Sequence, residues 1–568
     1  MKIKEIAKHW LKEPFDKDTK NEVENLLNDP KKLEDAFYKD LEFGTGGMRG
    51  IMGVGTNRIN KYTIGKNTQG LSNYLKKSFS DTPIKAVVAY DCRHNSAALA
   101  KIVADVFTAN GIACYLFSEL RATPELSFAV RHLNAHCGIV LTASHNPPEY
   151  NGYKVYWNDG GQLVPPQDAE LTKAIDKVGF EDIQFHAQDE LLHWIDTDID
   201  TAYQDTVVAI AKWSNGNRDD FKLVFTPLHG TSITAIPQVL KKAGYNNIYL
   251  VEEQAKPDGS FPTVTSPNPE EPQALAMAIE KAKKLDADMV IGTDPDCDRL
   301  GIAVKISEGE LLLLNGNQTM MVMTEFLLQQ WSKSGKLNGK QFVASTIVST
   351  PGMAKMAAAW GVRFEECLTG FKWIAKLIQD LPDLEFIGGG EESFGYLVGD
   401  KVRDKDAVSA ALLACEIAVD AKAEGKTFLD LLLDCYRKYG FYEERLISIK
   451  KEGKEGAALI AKTLDNHRQN PPKSINGIPV KTIEDLLVST KTDISTGNTN
   501  AINLPKANVL IFWLEDGSKI ALRPSGTEPK IKFYFSVNQE FNKEQSWQEQ
   551  QKTLGHKIDQ LEKEITVI

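Results

Sequence analysis

At 568 residues the chain is too long for one hydrophobic core, and its length fits roughly three to five domains. An apolar content of 42% and a charged content of 25% are those of an ordinary globular protein, and no apolar run reaches the roughly 18–20 residues of a membrane-spanning helix. A net charge of −11, with no dense Lys/Arg block, argues against nucleic acid or an anionic membrane as partner but leaves room for a small anionic ligand held by a few cations.

The first twenty residues, MKIKEIAKHWLKEPFDKDTK, alternate charge and apolar character like a surface helix and lack a signal-peptide core, which points to the cytoplasm. The seven cysteines show no C-x-x-C spacing, and most fall in apolar runs, so buried free thiols are expected rather than disulfides or zinc.

Three stretches then repeat one order, strand-helix-strand-helix-strand. The first runs through strand 85–91, helix 96–110, strand 112–117, helix 124–134 and strand 137–142. The second has strand 221–226, helix 231–243, strand 247–251, helix 272–285 and strand 288–292. The third has strand 342–348, helix 352–360, strand 362–367, helix 370–380 and strand 384–388. This order predicts α/β domains with mixed, largely parallel sheets. Each third strand runs into a dense polar loop: TASHNPP (142–148), TDPDCDR (293–299) and GGGEESF (388–394). Ligands of open α/β sheets gather beyond the carboxyl ends of strands, so three such loops predict three domains facing one cleft. From about 441 the pattern changes to strands 508–514, 519–523 and 530–536 and a charged helix over 541–564, a smaller α+β domain. The predicted domains are 1–205, 206–310, 311–440 and 441–568, carrying in turn the serine loop, the acidic loop, the glycine-rich loop and an Arg523 loop.

Asp294, Asp296 and Asp298, two apart on a loop after a strand, make a hard-cation site suited to magnesium or calcium. An EF-hand is excluded, because Arg299 and Lys305 stand where its glycine and final glutamate belong; a solvated acidic turn is the bland alternative. Arg299 beside the triad suits an anionic partner of the metal. Ser144, fixed by Pro147 and Pro148, can be a nucleophile, a phosphate acceptor or a helix cap, and no G-x-S-x-G elbow surrounds it. Facing a magnesium site, it points to phosphoryl transfer. RPSGTEP (523–529) can enclose a phosphate or be a plain hairpin turn, and Glu391 with Ser393 can grip sugar hydroxyls or hydrogen-bond each other.

These segments together closely resemble the α-D-phosphohexomutase superfamily. Its phosphoserine loop is similar to TASHNPPEYNGYK (142–154), its metal loop to GTDPDCDR (292–299), its sugar loop to GEESFGY (390–396) and its phosphate loop to RPSGTEPK (523–530). FGTGGMRG (43–50), TPLHGTS (226–232), SPNPEE (266–271) and TGFKWI (369–374) resemble the phosphoglucomutase/phosphopentomutase-like branch.

The resemblance implies four domains around a cleft, with Ser144 as phosphoryl carrier and Asp294, Asp296, Asp298 and a phosphoserine oxygen holding Mg2+. It implies Arg49, His145, Lys154, Arg299 and Lys405 as cleft cations, either lysine being a candidate for proton transfer. It further implies Glu391 and Ser393 on the sugar, and Arg523, Ser525, Gly526 and Thr527 on the phosphate that is not transferring. The expected activity is interconversion of glucose 1-phosphate and glucose 6-phosphate, with glucose 1,6-bisphosphate as activator. The alternatives are a phosphopentomutase, a phosphomannomutase, a glucose-1,6-bisphosphate synthase, a sugar-phosphate phosphatase or a non-catalytic metal-binding paralogue. Gly46 departs from the family pattern, where Ser or Ala is frequent.

Overall fold

The computed structural model describes residues 2–44, 46–214, 216–306, 310–451, 453–525 and 530–566. They divide into two compact units, Met1–Gly316 with Phe371–Thr427, and Asn317–Gly370 with Phe428–Ile568.

The first unit opens with three short helices, Lys2–His9, Lys17–Leu26 and Pro30–Phe37. Their apolar faces close over Trp10, Phe15, Phe37 and Tyr62, so this segment has a small core of its own. A sheet follows, built from β1 (Gly47–Ile51), β2 (Lys85–Tyr90), β3 (Ala113–Phe117), β4 (Cys137–Leu141), β5 (Tyr150–Trp157) and β6 (Leu192–Ile195), in the order β1-β5-β4-β2-β3-β6. β2 pairs in parallel with both β3 and β4, and the fully buried CGIVL of β4 is the continuous apolar run of a strand covered on both faces.

The second α/β layer holds β7 (Leu223–Thr226), β8 (Ile248–Leu250), β9 (Met289–Thr293), β10 (Leu300–Lys305) and β11 (Leu311–Leu314), in the order β11-β10-β9-β7-β8. The expected helix over 231–243 splits here. Thr231–Thr234 is a 3₁₀ turn and the α-helix is Ile236–Ala243, because Pro237 lacks an N–H and suits only a first helical turn.

Among the described residues, each polar loop is the connection of an antiparallel pair that the chain pattern did not disclose. β4 returns as β5, with Val140 opposite Lys154; β9 returns as β10, with Thr293 opposite Leu300. β14 (Glu385–Gly390) likewise returns as β15 (Tyr396–Val398), with Gly390 opposite Tyr396. The returning strands therefore hold both ends of each loop.

In the second unit β12 (Gln341–Thr346) and β13 (Arg363–Cys367) pair in parallel, joined by helix Gly352–Trp360. The C-terminal part is an antiparallel sheet that includes Phe441–Lys450, Leu510–Leu514, Lys519–Pro524 and Lys530–Gln539. Its last helix is Trp547–Ile565, starting later than the charged stretch from 541 suggested because Ser546 and Glu549 form a capping box. No helix of the described residues is long and apolar enough to cross a membrane. All seven cysteines are free thiols, six of them buried.

Buried Lys519 donates to the carbonyls of Ile347 (3.1 Å) and Ser349 (2.6 Å), tying the sheet to the segment after β12. Nearby, burial pushes the Glu444 carboxyl from 4.5 up to about 7, against hydrogen bonds from Thr350 and Ser536 that pull it down. The folded state thus holds this proton more tightly than the unfolded chain. That contribution to stability is complete below pH ~4.5, is lost as pH rises toward 7 and is absent above. Glu444→Gln should therefore match the parent Tm at pH 5 and exceed it by a few degrees at pH 8. Equal Tm values at pH 8 would show that the carboxylate is ionised at no cost.

Candidate active site

The serine loop, the acidic loop and the segment 391–405 converge in the first unit. Ser144 is 3% exposed, and its Oγ donates to Asp294 Oδ2 at 2.8 Å. Its backbone has φ +51°, a left-handed conformation that a non-glycine residue adopts only when its surroundings impose it. The Thr142 hydroxyl supports that turn by accepting the Ser144 N–H at 2.8 Å. His145 Nδ1 lies 3.3 Å from Ser144 Oγ. Burial, reinforced by the Arg299 and Arg49 charges, holds the imidazole well below its ordinary pKa, so the ring is neutral.

The β1–β5 pairing places two of the predicted cations. Gly47 lies opposite Lys154 and Arg49 opposite Gly152, and a Cβ on Gly47 would come within 2.3 Å of the Tyr153 carbonyl. Only glycine allows this approach. Arg49 is exposed and donates to Asn146 Oδ1 at 2.8 Å.

Asp294, Asp296 and Asp298 are all buried, and one oxygen from each falls within 4.8 Å of the others. The loop turns at Cys297, with φ +59°, and folds the Asp298 and Arg299 N–H groups onto Asp294 Oδ1, both at 3.0 Å. Lys154 Nζ donates to Asp296 Oδ2 at 2.7 Å and to Asp298 Oδ2 at 3.1 Å, and Lys405 Nζ lies 2.7 Å from Asp298 Oδ2. Burial works against both ammonium groups, but the adjacent carboxylates outweigh it and hold both lysines above their ordinary pKa. Asp294 is different: burial first, then the Asp298 and Asp296 charges, push it well above the usual carboxylate range.

Among the described residues, Asp296 Oδ1 and Asp298 Oδ1 are buried and accept no hydrogen bond. Orphaned carboxylate oxygens are costly, and three convergent oxygen donors with no nitrogen or sulfur fit a hard divalent cation such as Mg2+. The residues present therefore fit that group.

Around this centre Arg299 is paired with Glu270 and lies 4.0 Å from both Asp294 and Asp298. Glu391 is buried beside the Ser393 hydroxyl, and burial raises its carboxyl to about 7. Arg523 and Ser525 belong to the second unit, at the end of strand Lys519–Pro524, while Gly526 and Thr527 lie outside the described residues.

Several supporting residues went unread in the sequence. Thr123 binds the acidic loop twice, its N–H to the Asp296 carbonyl at 2.9 Å and its hydroxyl to Asp296 Oδ2 at 3.2 Å. Tyr156 donates to Asp404 at 2.7 Å, next to Lys405. Arg93 grips the serine loop. Its signal was available, since YDCRHNS (90–96) is also a polar segment following a buried strand.

Models of the phosphoglucomutase/phosphomannomutase alpha/beta/alpha domains I, II and III match residues 40–182, 201–307 and 315–439. A phosphoglucomutase of Staphylococcus epidermidis is 40% identical over 517 residues, covering 89% of this chain and 92% of its own length. The chain belongs to the phosphoglucomutase/phosphomannomutase family. A Staphylococcus aureus phosphoglucomutase is 40% identical over 537 residues, covering 93% of this chain and 95% of its own. The fold agrees with the crystal structure of a family protein from Burkholderia thailandensis (TM-score 0.67, 19% identity, 92% and 96% of the two chains). It also agrees with the open form of Paramecium parafusin, described as a phosphoglucomutase (TM-score 0.66, 17% identity, 93% and 96%). Family membership accounts for the three α/β domains.

Proposed function

We propose that this chain is a cytoplasmic phosphoglucomutase that interconverts glucose 1-phosphate and glucose 6-phosphate through phosphorylated Ser144. The observation that carries this reading is the 2.8 Å contact between the Ser144 hydroxyl and Asp294, inside a triad with two buried carboxylate oxygens that accept no hydrogen bond among the described residues. The phosphoglucomutases that match at 40% identity over about nine-tenths of the chain favour glucose among the substrates.

In the first half-reaction phosphoserine 144 gives its phosphoryl group to the free hydroxyl of the sugar monophosphate, and the serine oxygen leaves. The resulting 1,6-bisphosphate turns over, and its other phosphoryl group returns to the serine. Lys154 or Lys405, held protonated beside the triad, is placed to give a proton to the serine oxygen as it leaves and to take one back from the attacking hydroxyl. Mg2+, held by Asp294, Asp296 and Asp298, would neutralise charge on the transferring group. Arg299 and Arg49 supply cationic charge at the same loops, and Glu391 with Ser393 reads sugar hydroxyls. From sequence alone, Arg523, Ser525, Gly526 and Thr527 are assigned to the phosphate that is not reacting. The four-domain division at 205, 310 and 440 gives each of these loops a domain.

The substrate is tested by comparing kcat/KM for glucose 1-phosphate, mannose 1-phosphate and ribose 1-phosphate, each with its bisphosphate and Mg2+. Glucose 1-phosphate should lead by about tenfold or more, because a polar site shaped for one hydroxyl orientation leaves a group unpaired with the epimer. A tenfold preference for ribose 1-phosphate would overturn the glucose assignment and keep the phosphoserine chemistry.

A further inference from the structure

Arg93 follows β2 and is 3% exposed, an unusual place for a guanidinium. Among the described residues it meets a single carboxylate, Asp91, at 3.4 Å. Its other partners are main-chain carbonyls of the serine loop. It donates to Ser144 O (2.5 Å), Pro147 O (2.8 Å) and Tyr150 O (3.0 Å), and also to Asn146 O. Asp91 steadies the base of this arrangement by accepting the Arg93 N–H and the Ser96 hydroxyl, both at 2.9 Å. The Phe261 ring lies 5.1 Å from the guanidinium. Gly259 lets that segment approach, since a Cβ there would come within 2.8 Å of Arg93 Cα.

We propose that Arg93 is a positioning residue that fixes the 144–150 loop in its phosphoryl-transferring conformation, acting through the main chain and without touching the sugar. This rests on the reading of Ser144 as the phosphoryl carrier. The physical need is plain. Ser144 sits at φ +51° in a loop with no secondary structure of its own, and such a conformation persists only when its surroundings over-determine it. One planar guanidinium with a fixed fan of donors can hold four carbonyls at once, and a lysine ammonium on a flexible stem cannot reproduce that geometry. Turning the carbonyls toward Arg93 fixes the serine oxygen against Asp294.

The test compares the full-length wild type with Arg93→Lys. Misplacing the nucleophile by about 1 Å should lower kcat on the order of 100-fold while KM changes by less than about threefold. Hydrogen exchange should rise in peptides covering 142–152 and stay unchanged in β2 and β4. Arg93→Lys turning over at the wild-type rate would overturn the proposal, as would a rise in KM with kcat unchanged. If Arg93→Lys does not fold, Phe261→Leu decides. It should lower kcat several-fold with faster exchange at 142–152, and unchanged kcat and exchange would overturn the proposal. Peptide mapping of the wild type separates the two readings. Phosphate on Ser144 together with an indifferent Arg93 removes only this inference, whereas phosphate elsewhere removes the Ser144 assignment beneath it.

Discussion

Ser144→Ala should lose mutase turnover by on the order of 10⁴-fold or more, because the variant has no oxygen to receive the phosphoryl group between the two half-reactions. Neither neighbour takes the place of the serine oxygen against Asp294: His145 Nδ1 lies 3.3 Å from that oxygen, and the Thr142 hydroxyl accepts the Ser144 N–H. The fold should survive, since the Ser144 hydroxyl contributes two hydrogen bonds, to Asp294 and to His145. Far-UV dichroism and Tm should therefore stay near the parent values while activity disappears, and the mass of one phosphate on the 142–154 peptide should vanish. Full turnover by Ser144→Ala in the presence of glucose 1,6-bisphosphate would sink the covalent mechanism.

The strand-to-loop transitions were legible because buried parallel strands such as AVVAY and CGIVL are short apolar runs that end abruptly in polar residues. The acidic triad was legible for a similar reason, since alternate aspartates after such a strand have few structural uses. The returning strands were harder. β5 reads YNGYKVYW and interrupts its alternation with a glycine and a lysine, both of which serve the site instead of the sheet. Gly152 is there because a Cβ would come within 2.5 Å of the Thr142 carbonyl, and Lys154 because the triad draws its ammonium inward. The place of Arg93, in a polar segment after a buried strand, was legible, but what it binds was not. Its partners are carbonyl oxygens, which every residue carries, so side-chain chemistry leaves no trace of the contact. Thr123 and Asp296 meet across 173 positions of sequence, a separation over which spacing carries no information.

Asp294→Asn should separate metal binding from folding. Asp294 is the triad member with the least compensation: Lys154 and Lys405 bind Asp296 and Asp298, whereas the Arg299 guanidinium stands 4.0 Å from Asp294. Its carboxyl is accordingly pushed up, by burial and then by the two neighbouring charges. An amide keeps an acceptor for the Asp298 and Arg299 N–H groups and removes the repelling charge. In excess chelator the variant should therefore melt higher than the parent, by a few degrees. With Mg2+ the order should reverse. A cation that binds only the folded parent adds about 2.7 kcal/mol at roughly 100 times its Kd, and the variant should gain little of it. Turnover should fall by about 10³-fold, the equivalent of ~4 kcal/mol of lost charge stabilisation on the transferring group. Calcium should restore the parent's thermal shift better than its activity, because its looser and more variable coordination binds the carboxylates without holding the phosphoryl oxygen in line. A parent that works undiminished in excess chelator, or an Asp294→Asn variant with the parent's full Mg2+ shift, would remove the cation from this triad.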